Sequence, residues 1–181
     1  MFKTLVLAVC GLMSAVSAVN IELSKEQWLA AVPKSGFLKL HDSLDGSLGS
    51  TASKVSWSEC DSQHLYDVAT GTASPNPPIV GNFVGLNLDV IFNSDVNVVA
   101  NYVYVQFTAA GGTDPIALFA QDYPATTPGD YGAGDEFTDS ISWLVPSFAP
   151  LGHYHVSITV HGANKDKDKW ACLVADFDIH G

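Results

Sequence analysis

The stretch Ile141–Ile158, ISWLVPSFAPLGHYHVSI, decides how the rest of the chain is interpreted. Apolar side chains recur at every second residue both before and after its central PSFAPLG segment. This alternation is typical of β strands that have one buried face and one solvated face. Pro146 and Pro150 cannot donate to a sheet ladder, and Gly152 can adopt backbone angles closed to other residues. The stretch therefore predicts two strands joined by a stiff crossing, with a second layer covering their apolar face.

The first eighteen residues have the features of an export signal. Lys3 supplies a positive start, residues 5–16 form an apolar run, and residues 16–18 (Val-Ser-Ala) resemble a cleavage site. The run is too short to span a membrane, and no later stretch is long and apolar enough. We therefore expect 1–18 to be a signal peptide and the protein to be secreted, or delivered to the lumen of a vacuole or lysosome.

Residues 19–54 differ in composition from the remainder. Ser24 and Gln27 predict a capping box, followed by a short helix that ends at Pro33. Residues 41–53 are rich in Gly and Ser, which is typical of a flexible linker. We interpret 19–54 as an N-terminal extension or linker, with a pro-segment or lid as the alternative, and 55–181 as one domain.

The domain from residue 55 onward shows strand-like runs and no useful helical periodicity. Clusters of Gly, Pro, Asn and Asp separate the runs, and many short strands at even spacing predict an all-β sandwich or barrel. The eight predicted strands are Val55–Cys60, Leu65–Ala73, Asn82–Phe92, Val98–Thr108, Pro115–Gln121, Glu136–Val145, His153–Gly162 and Trp170–Ile179.

The charge of the chain is strongly one-sided. The formal net charge is −11, and arginine is absent. From residue 55 onward three lysines (Lys165, Lys167 and Lys169) face fifteen acidic residues. Nucleic-acid binding needs basic groups to neutralise phosphates, so we expect no nucleic-acid partner.

Two cysteines remain once the predicted signal, which contains Cys10, is removed. Cys60 and Cys172 are an even pair in an oxidising compartment, with two free buried thiols as the alternative. A bond between them would close a loop of about 110 residues and contribute roughly 4–5 kcal/mol.

Catalytic motifs are weak in this sequence. No G-x-S-x-G nucleophile elbow occurs, so we expect no catalytic residues, no enzyme activity and no cofactor. His153, His155 and His161 share one strand face but do not form a complete zinc-ligand set. We interpret them as surface histidines, with a metal or pH-sensing site as the alternative.

Several motifs occur in a distinctive order. PNPP at residues 75–78 is followed by the P-x-x-x-P-x-G-x-Y pattern that ends at Tyr154, and Cys60 and Cys172 flank both motifs. The chain resembles the ML (MD-2-related lipid-recognition) family, in particular the Niemann-Pick type C sterol carrier and the fungal phosphatidylglycerol/phosphatidylinositol transfer proteins. The resemblance implies an immunoglobulin-like β-sandwich of two antiparallel sheets, a lipid cavity between them, and pairing of Cys60 with Cys172.

One departure from the family concerns the pocket mouth. A second cysteine pair often brackets the loop between the middle strands of the family, but residues 120–137 (AQDYPATTPGDYGAGDEF) contain no cysteine. The segment before Val55 is also absent from the family pattern. These departures bear on the class of lipid that is bound.

We expect the lipid, a sterol or a phospholipid, to contact inward-facing apolar side chains and a mouth formed by the loop aromatics Tyr123, Tyr131 and Phe148. We further expect a monomer that makes transient contact with a membrane or a lipid-acceptor protein. The alternative is a secreted carbohydrate-binding or adhesion module that displays Tyr102, Tyr104 or Trp170. The predicted lipid-binding residues are Leu86, Leu88, Val90, Val103, Val105, Phe107, Phe119, Tyr123, Phe137, Ile141, Trp143, Phe148, Tyr154, Val156 and Ile158.

Overall fold

The computed structural model describes residues 19–22, 24, 26, 50–60 and 65–181. The predicted signal peptide lies outside these residues. Of the Gly/Ser-rich linker only residues 50–53 are described, and of the predicted helix only Ser24 and Glu26. The described strands are β1 Val19–Ile21, β2 Thr51–Ala52, β3 Ser56–Glu59, β4 Tyr66–Ser74, β5 Phe83–Phe92, β6 Val96–Ala109, β7 Ile116–Tyr131, β8 Glu136–Leu144, β9 Gly152–His161 and β10 Lys169–His180.

The strands form two facing sheets, which is an immunoglobulin-like β-sandwich. Sheet A has the order β1-β8-β5-β4, and sheet B has the order β2-β10-β9-β6-β7, with β3 also paired to β10. Apolar residues meet across neighbouring strands, as where Val156 of β9 lies opposite both Val105 and Ala175. All pairs are antiparallel except β1 with β8. The predicted all-β sandwich is confirmed.

Each of the eight predicted strands is present, but β7 is longer than predicted. The sequence predicts that this strand ends at Gln121 and that Pro128-Gly129 forms a turn. In the structure β7 continues to Tyr131 as the edge strand of sheet B. An edge strand tolerates prolines because the missing N–H faces away from the ladder. The turn prediction is therefore wrong, and Tyr123 and Tyr131 are strand residues, not loop residues.

The predicted extension contributes two short strands to the sandwich. β1 pairs with Ile141–Trp143 of β8, and β2 pairs with Ile179 and His180 of β10. The domain boundary at Val55 stays a prediction, but residues on its N-terminal side pair with the sheets. Among the described residues, no helix is both long and apolar enough to cross a bilayer.

The crossing between β8 and β9 requires Gly152. A Cβ atom at this position would lie 2.2 Å from the carbonyl oxygen of Thr108, and φ is +150°. A larger residue would therefore push the first residue of β9 away from β6. Cys60 and Cys172 form the predicted disulfide, with their Cα atoms 5.4 Å apart and a sequence separation of 112.

The interior contains two groups of buried side chains. The larger cluster draws on both sheets and includes Trp143, Tyr154 and Phe177. The smaller cluster includes Phe92 and Phe137 and lies toward the other end of the sandwich. These two names are kept below.

Candidate functional site

Aromatic rings fill the centre of the larger cluster. Tyr154 of β9 and Phe177 of β10 are register partners, and their rings are stacked with centroids 5.2 Å apart. Trp143 of β8 reaches from the opposite sheet to within 5.9 Å of Tyr154 and 5.7 Å of Phe177, measured between ring centroids. Phe107 of β6 completes the group at 5.1 Å from Tyr154. In this structure the two sheets thus meet through ring contacts.

The polar atoms within this aromatic group differ in how they are satisfied. The Tyr154 hydroxyl donates to the carbonyl oxygen of Pro150 at 2.8 Å, and burial holds the pKa of this phenol well above its usual range. The Nε1–H of Trp143 is buried and has no hydrogen-bond partner. An unsatisfied buried donor costs about 1–3 kcal/mol, and Trp57, which packs against the same cluster, carries a second one.

A buried polar bridge separates the two clusters. Asp139 faces inward on β8 between Phe137 and Ile141, and it is 6% exposed. Its carboxylate accepts hydrogen bonds from Asn101 Nδ2 of β6 and from both the backbone N–H and the hydroxyl of Thr126 of β7. We call Asp139, Asn101 and Thr126 the polar bridge. Because these bonds join sheet A to sheet B, the bridge fixes the separation of the sheets at this level.

The structure gathers most of the predicted lipid-binding residues into one interior. Two of them, Val90 and Phe137, belong to the smaller cluster, beyond the polar bridge. Three others, Phe119, Tyr123 and Phe148, are half-buried and pack against the larger cluster. The remaining predicted residues are buried within the larger cluster: Leu86, Leu88, Val103, Val105, Phe107, Ile141, Trp143, Tyr154, Val156 and Ile158.

The predicted mouth residues are divided between the two clusters, because Tyr123 and Phe148 pack against the larger one and Tyr131 packs against the smaller one. Phe119 and Tyr123 stack on β7 with ring centroids 6.1 Å apart, and Phe148 lies in the crossing between β8 and β9. Partial burial raises the pKa of the Tyr123 phenol. Tyr131 packs instead against Phe92 and Phe137 in the smaller cluster. It therefore belongs with the other end of the sandwich, contrary to its predicted place in the mouth.

Several interior residues are not assigned by the sequence interpretation, and three of them show why. Phe177 lies in the last predicted strand, but its inward direction was not assigned. Leu118 is the buried neighbour of Phe119, because a register shift against β6 changes which β7 side chains point inward. Asp139 breaks the apolar alternation of β8, and only its partners on β6 and β7 explain its burial.

The aromatic residues of the alternative carbohydrate-binding interpretation lie on the outer surface. Tyr102 and Tyr104 line a surface cavity of about 220 Å³ on the outer face of sheet B. The Lys165 ammonium lies 4.7 Å from the ring centroid of Tyr102 and also contacts Asp122, and that hydrogen bond raises the pKa of the lysine. Trp170 donates from Nε1 to the Asn97 carbonyl oxygen at 2.8 Å. The ring of Tyr102 is thus covered by a cation and is not an open stacking platform.

Sequence comparison identifies a relative with a named activity. No protein-family model matches the chain. A curated protein of Dictyostelium discoideum, named "Putative phosphatidylglycerol/phosphatidylinositol transfer protein", is 29% identical over 106 residues, which is 58% of this chain and 72% of the relative. The chain resembles the ML family. The ML resemblance predicted from the sequence motifs is thereby confirmed.

Two solved structures are similar to this ML-like chain. A Niemann-Pick type C2 protein from the Japanese carpenter ant aligns with a TM-score of 0.47 and 12% identity, covering 67% of this chain and 96% of the ant protein. Chicken MD-1, solved in complex with lipid IVa, aligns with a TM-score of 0.43 and 12% identity, covering 72% of this chain and 97% of MD-1.

Proposed function

We propose that this protein binds and transfers lipid, holding a single sterol or phospholipid between its two sheets. The observation that carries the proposal is the larger cluster, an apolar interior to which both sheets contribute, with ring contacts from Trp143 of one sheet to Tyr154 and Phe177 of the other. A hydrocarbon tail gains about 0.8 kcal/mol for each methylene that leaves water for such a site. The proposal assigns no covalent chemistry to the chain.

Lipid entry requires rearrangement of the larger cluster. Its rings contact one another directly, so a tail fits only if the sheets separate or the rings change rotamer. The polar bridge opposes separation at the level of Asp139, and Trp57 of β3 lies against the backbone of Gly71 at the β3–β4 edge. The edge strand β7 joins the polar bridge at Thr126, and we place the entrance farther along this edge, where Phe119 and Tyr123 lie.

Trp143 supplies a polar contact for the bound lipid in this proposal. A hydroxyl or ester carbonyl oxygen beside Nε1 would satisfy the unpaired donor and regain about 1 kcal/mol or more. Trp143→Phe keeps most of the ring volume but removes the donor. We expect this variant to bind a hydrocarbon without an acceptor group normally and to bind sterol or phospholipid more weakly.

We propose a compartment and an assembly state that suit a lipid carrier. The protein is exported, acts as a monomer and contacts a membrane or a lipid-acceptor protein only briefly. The Cys60–Cys172 disulfide supports export, because such bonds persist in oxidising compartments. Sedimentation of the secreted protein with and without lipid vesicles measures both the monomer and the transient contact.

Native mass spectrometry of the secreted protein, followed by organic extraction, tests the central proposal. We expect one sterol or phospholipid molecule per chain. A protein that arrives empty and takes up neither fluorescent sterol nor fluorescent phospholipid, at neutral and at acidic pH, would contradict lipid binding.

The entrance is tested separately, with variants of half-buried aromatics. We expect Phe148→Ala and Tyr123→Ala to slow uptake of a fluorescent phospholipid, because both rings pack at the rim of the larger cluster. Tyr104→Ala is the matched control, since Tyr104 is a half-buried aromatic on the outer face of sheet B. Equal uptake by all three variants would place the entrance elsewhere while leaving lipid binding itself intact.

A further inference from the structure

Two histidines and two aspartates meet on the outer face of sheet B. His153 and His155 are two residues apart on β9, so both side chains point to the same face. On β10, Asp176 is the register partner of His155, and Asp178 is the register partner of His153. The antiparallel ladder thus places one carboxylate beside each imidazole.

The donor atoms are close enough to share one ion. His155 Nδ1 lies 2.8 Å from Asp176 Oδ1, and His153 Nε2 lies 3.2 Å from the same oxygen. One ligand atom from each of His153, His155 and Asp176 falls within 4.8 Å of the others. Their side chains are between one quarter and one half exposed, so an ion can reach them from solvent.

The contacts of His153 require a cation. Its Nε2 faces Asp176 at 3.2 Å, and its Nδ1 faces Asp178 at 3.1 Å. A neutral imidazole carries one N–H and one lone pair, so it can donate to only one of these carboxylates. The other contact then sets a nitrogen lone pair against a carboxylate oxygen, which is repulsive. Either a second proton on the ring or a metal ion between the two atoms removes that repulsion.

We propose that His153 Nε2, His155 Nδ1 and the Asp176 carboxylate bind a divalent transition-metal ion of the zinc class. Imidazole nitrogens and a carboxylate oxygen are ligands that zinc accepts, and three protein ligands leave a position open to solvent. Two nitrogen ligands favour zinc over calcium or magnesium, which prefer oxygen. Asp178 accepts the Nδ1–H of His153, which leaves Nε2 free to ligate and fixes the ring orientation.

The surrounding charges favour the ion. The ionisable groups facing the site are His153 and His155 from β9 together with Asp176 and Asp178 from β10. On the other side of β9, the neighbouring strand β6 places the uncharged Gln106 and Thr108 opposite His155 and His153. A divalent ion therefore meets two carboxylates. Lys54 lies in the segment on the other side of β10, where Ser53 and Ser56 contact the backbone of Asp178 and Asp176. His180 is the next outward residue of β10 and serves as a control.

The site lies directly behind the aromatic centre of the interior. Tyr154 lies between the two histidines on β9, and its ring points to the opposite face of the sheet. Phe177, which stacks on Tyr154, likewise separates Asp176 from Asp178 on β10. A bound ion would tie β9 to β10 at this position and raise the stability of the protein.

Calorimetric titration of chelator-treated protein with zinc chloride at about pH 7.5 tests the site. We expect one zinc ion per chain, with affinity reduced about tenfold or more in His155→Ala and in Asp176→Asn. His180→Ala should bind zinc like the original protein. Acidification should weaken binding, because protons compete for the imidazole nitrogens.

Proton NMR of the unmodified protein keeps the proposal testable if a variant fails to fold. Zinc should shift the ring resonances of His153 and His155 and leave those of His180 in place. Absence of zinc binding, binding that survives both His155→Ala and Asp176→Asn, or displacement of the zinc by calcium would each overturn the proposal. None of these results bears on lipid uptake, so the two proposals fail independently.

Discussion

The two halves of the interior differ in how they are closed. The smaller cluster packs Phe92, Tyr131 and Phe137 edge to face, and Tyr131 of the edge strand covers it. The larger cluster is bordered by half-buried aromatics and by a long crossing loop, and it contains an unpaired indole N–H. One strand, β8, runs through both clusters, with Asp139 at the point of change. Half-buried aromatics border both clusters, since Tyr131 and Trp170 pack against the smaller one. The unpaired indole N–H groups of Trp57 and Trp143 therefore distinguish the larger cluster.

Removal of the polar bridge should give the largest effect on stability. Asp139→Ala leaves the Asn101 amide and the Thr126 N–H without their acceptor inside the sandwich. At about 1–3 kcal/mol for each unsatisfied group, the free energy of unfolding should fall by roughly 3–4 kcal/mol. Urea unfolding measures this loss.

The double variant Asp139→Leu with Asn101→Leu sharpens the test. It removes both members of the hydrogen-bonded pair and joins the two clusters through apolar side chains. We expect it to be more stable than Asp139→Ala, since replacing both partners leaves fewer polar groups unpaired. A double variant less stable than the single one would show that the bridge is needed for more than mutual satisfaction of its members.

Two substitutions on β6, each replacing a buried valine by the larger phenylalanine, compare the clusters directly. Val105 lies in the larger cluster and Val98 in the smaller, and both are 1% exposed. Val105→Phe and Val98→Phe should each cost about 1–3 kcal/mol through overpacking. Only Val105→Phe should reduce lipid uptake, because only it occupies the proposed slot. Equal uptake by the two variants, measured with a fluorescent phospholipid, would remove the functional distinction between the clusters.

Alkaline titration should give the smallest effect and should report on both clusters. Burial, reinforced by the Glu59 carboxylate, raises the pKa of Tyr66 in the smaller cluster to about 12, and burial raises the pKa of Tyr154 in the larger. Each phenol binds its proton more tightly in the folded state. The stability it contributes is therefore complete below about pH 10 and is lost as pH rises further.

The expected slope is about 1.4 kcal/mol per pH unit for each tyrosine between about pH 10 and 12. Tyr66→Phe and Tyr154→Phe should each flatten the loss of stability over this range, as measured by urea unfolding at successive pH values. An unchanged slope in Tyr154→Phe would argue that this hydroxyl loses its proton at the same pH in the folded and the unfolded protein.

The parts of the fold and site that the sequence predicts are those where apolar and polar residues alternate along a strand. β5, β6, β8 and β9 each have one apolar face, so both their existence and the direction of residues such as Val105 and Ile158 followed from the sequence. β7 was truncated because its prolines suggested a turn, and only the position of the strand at a sheet edge explains why they are tolerated.

The features that escaped prediction depend on contacts between distant segments. β1 and β2 are too short to show a period, and they are recognisable only through β8 and β10. The burial of Asp139 depends on Asn101, which is 38 residues away. The histidine pair was visible in the sequence, but its third member, Asp176, lies on another strand. Spacing along the chain does not encode any of these pairings.

The Cys60–Cys172 bond also determines what a protease can do to this protein. The bond closes strands β4 to β9 and the first residues of β10 into a covalent ring. Gly111 and Gly112 lie exposed in that ring, between β6 and β7. A single cut there would open the ring without releasing a fragment, and every strand would stay attached through one end or the other. Damaged molecules would keep the mass of intact ones, apart from one added water, until a reductant separated the pieces.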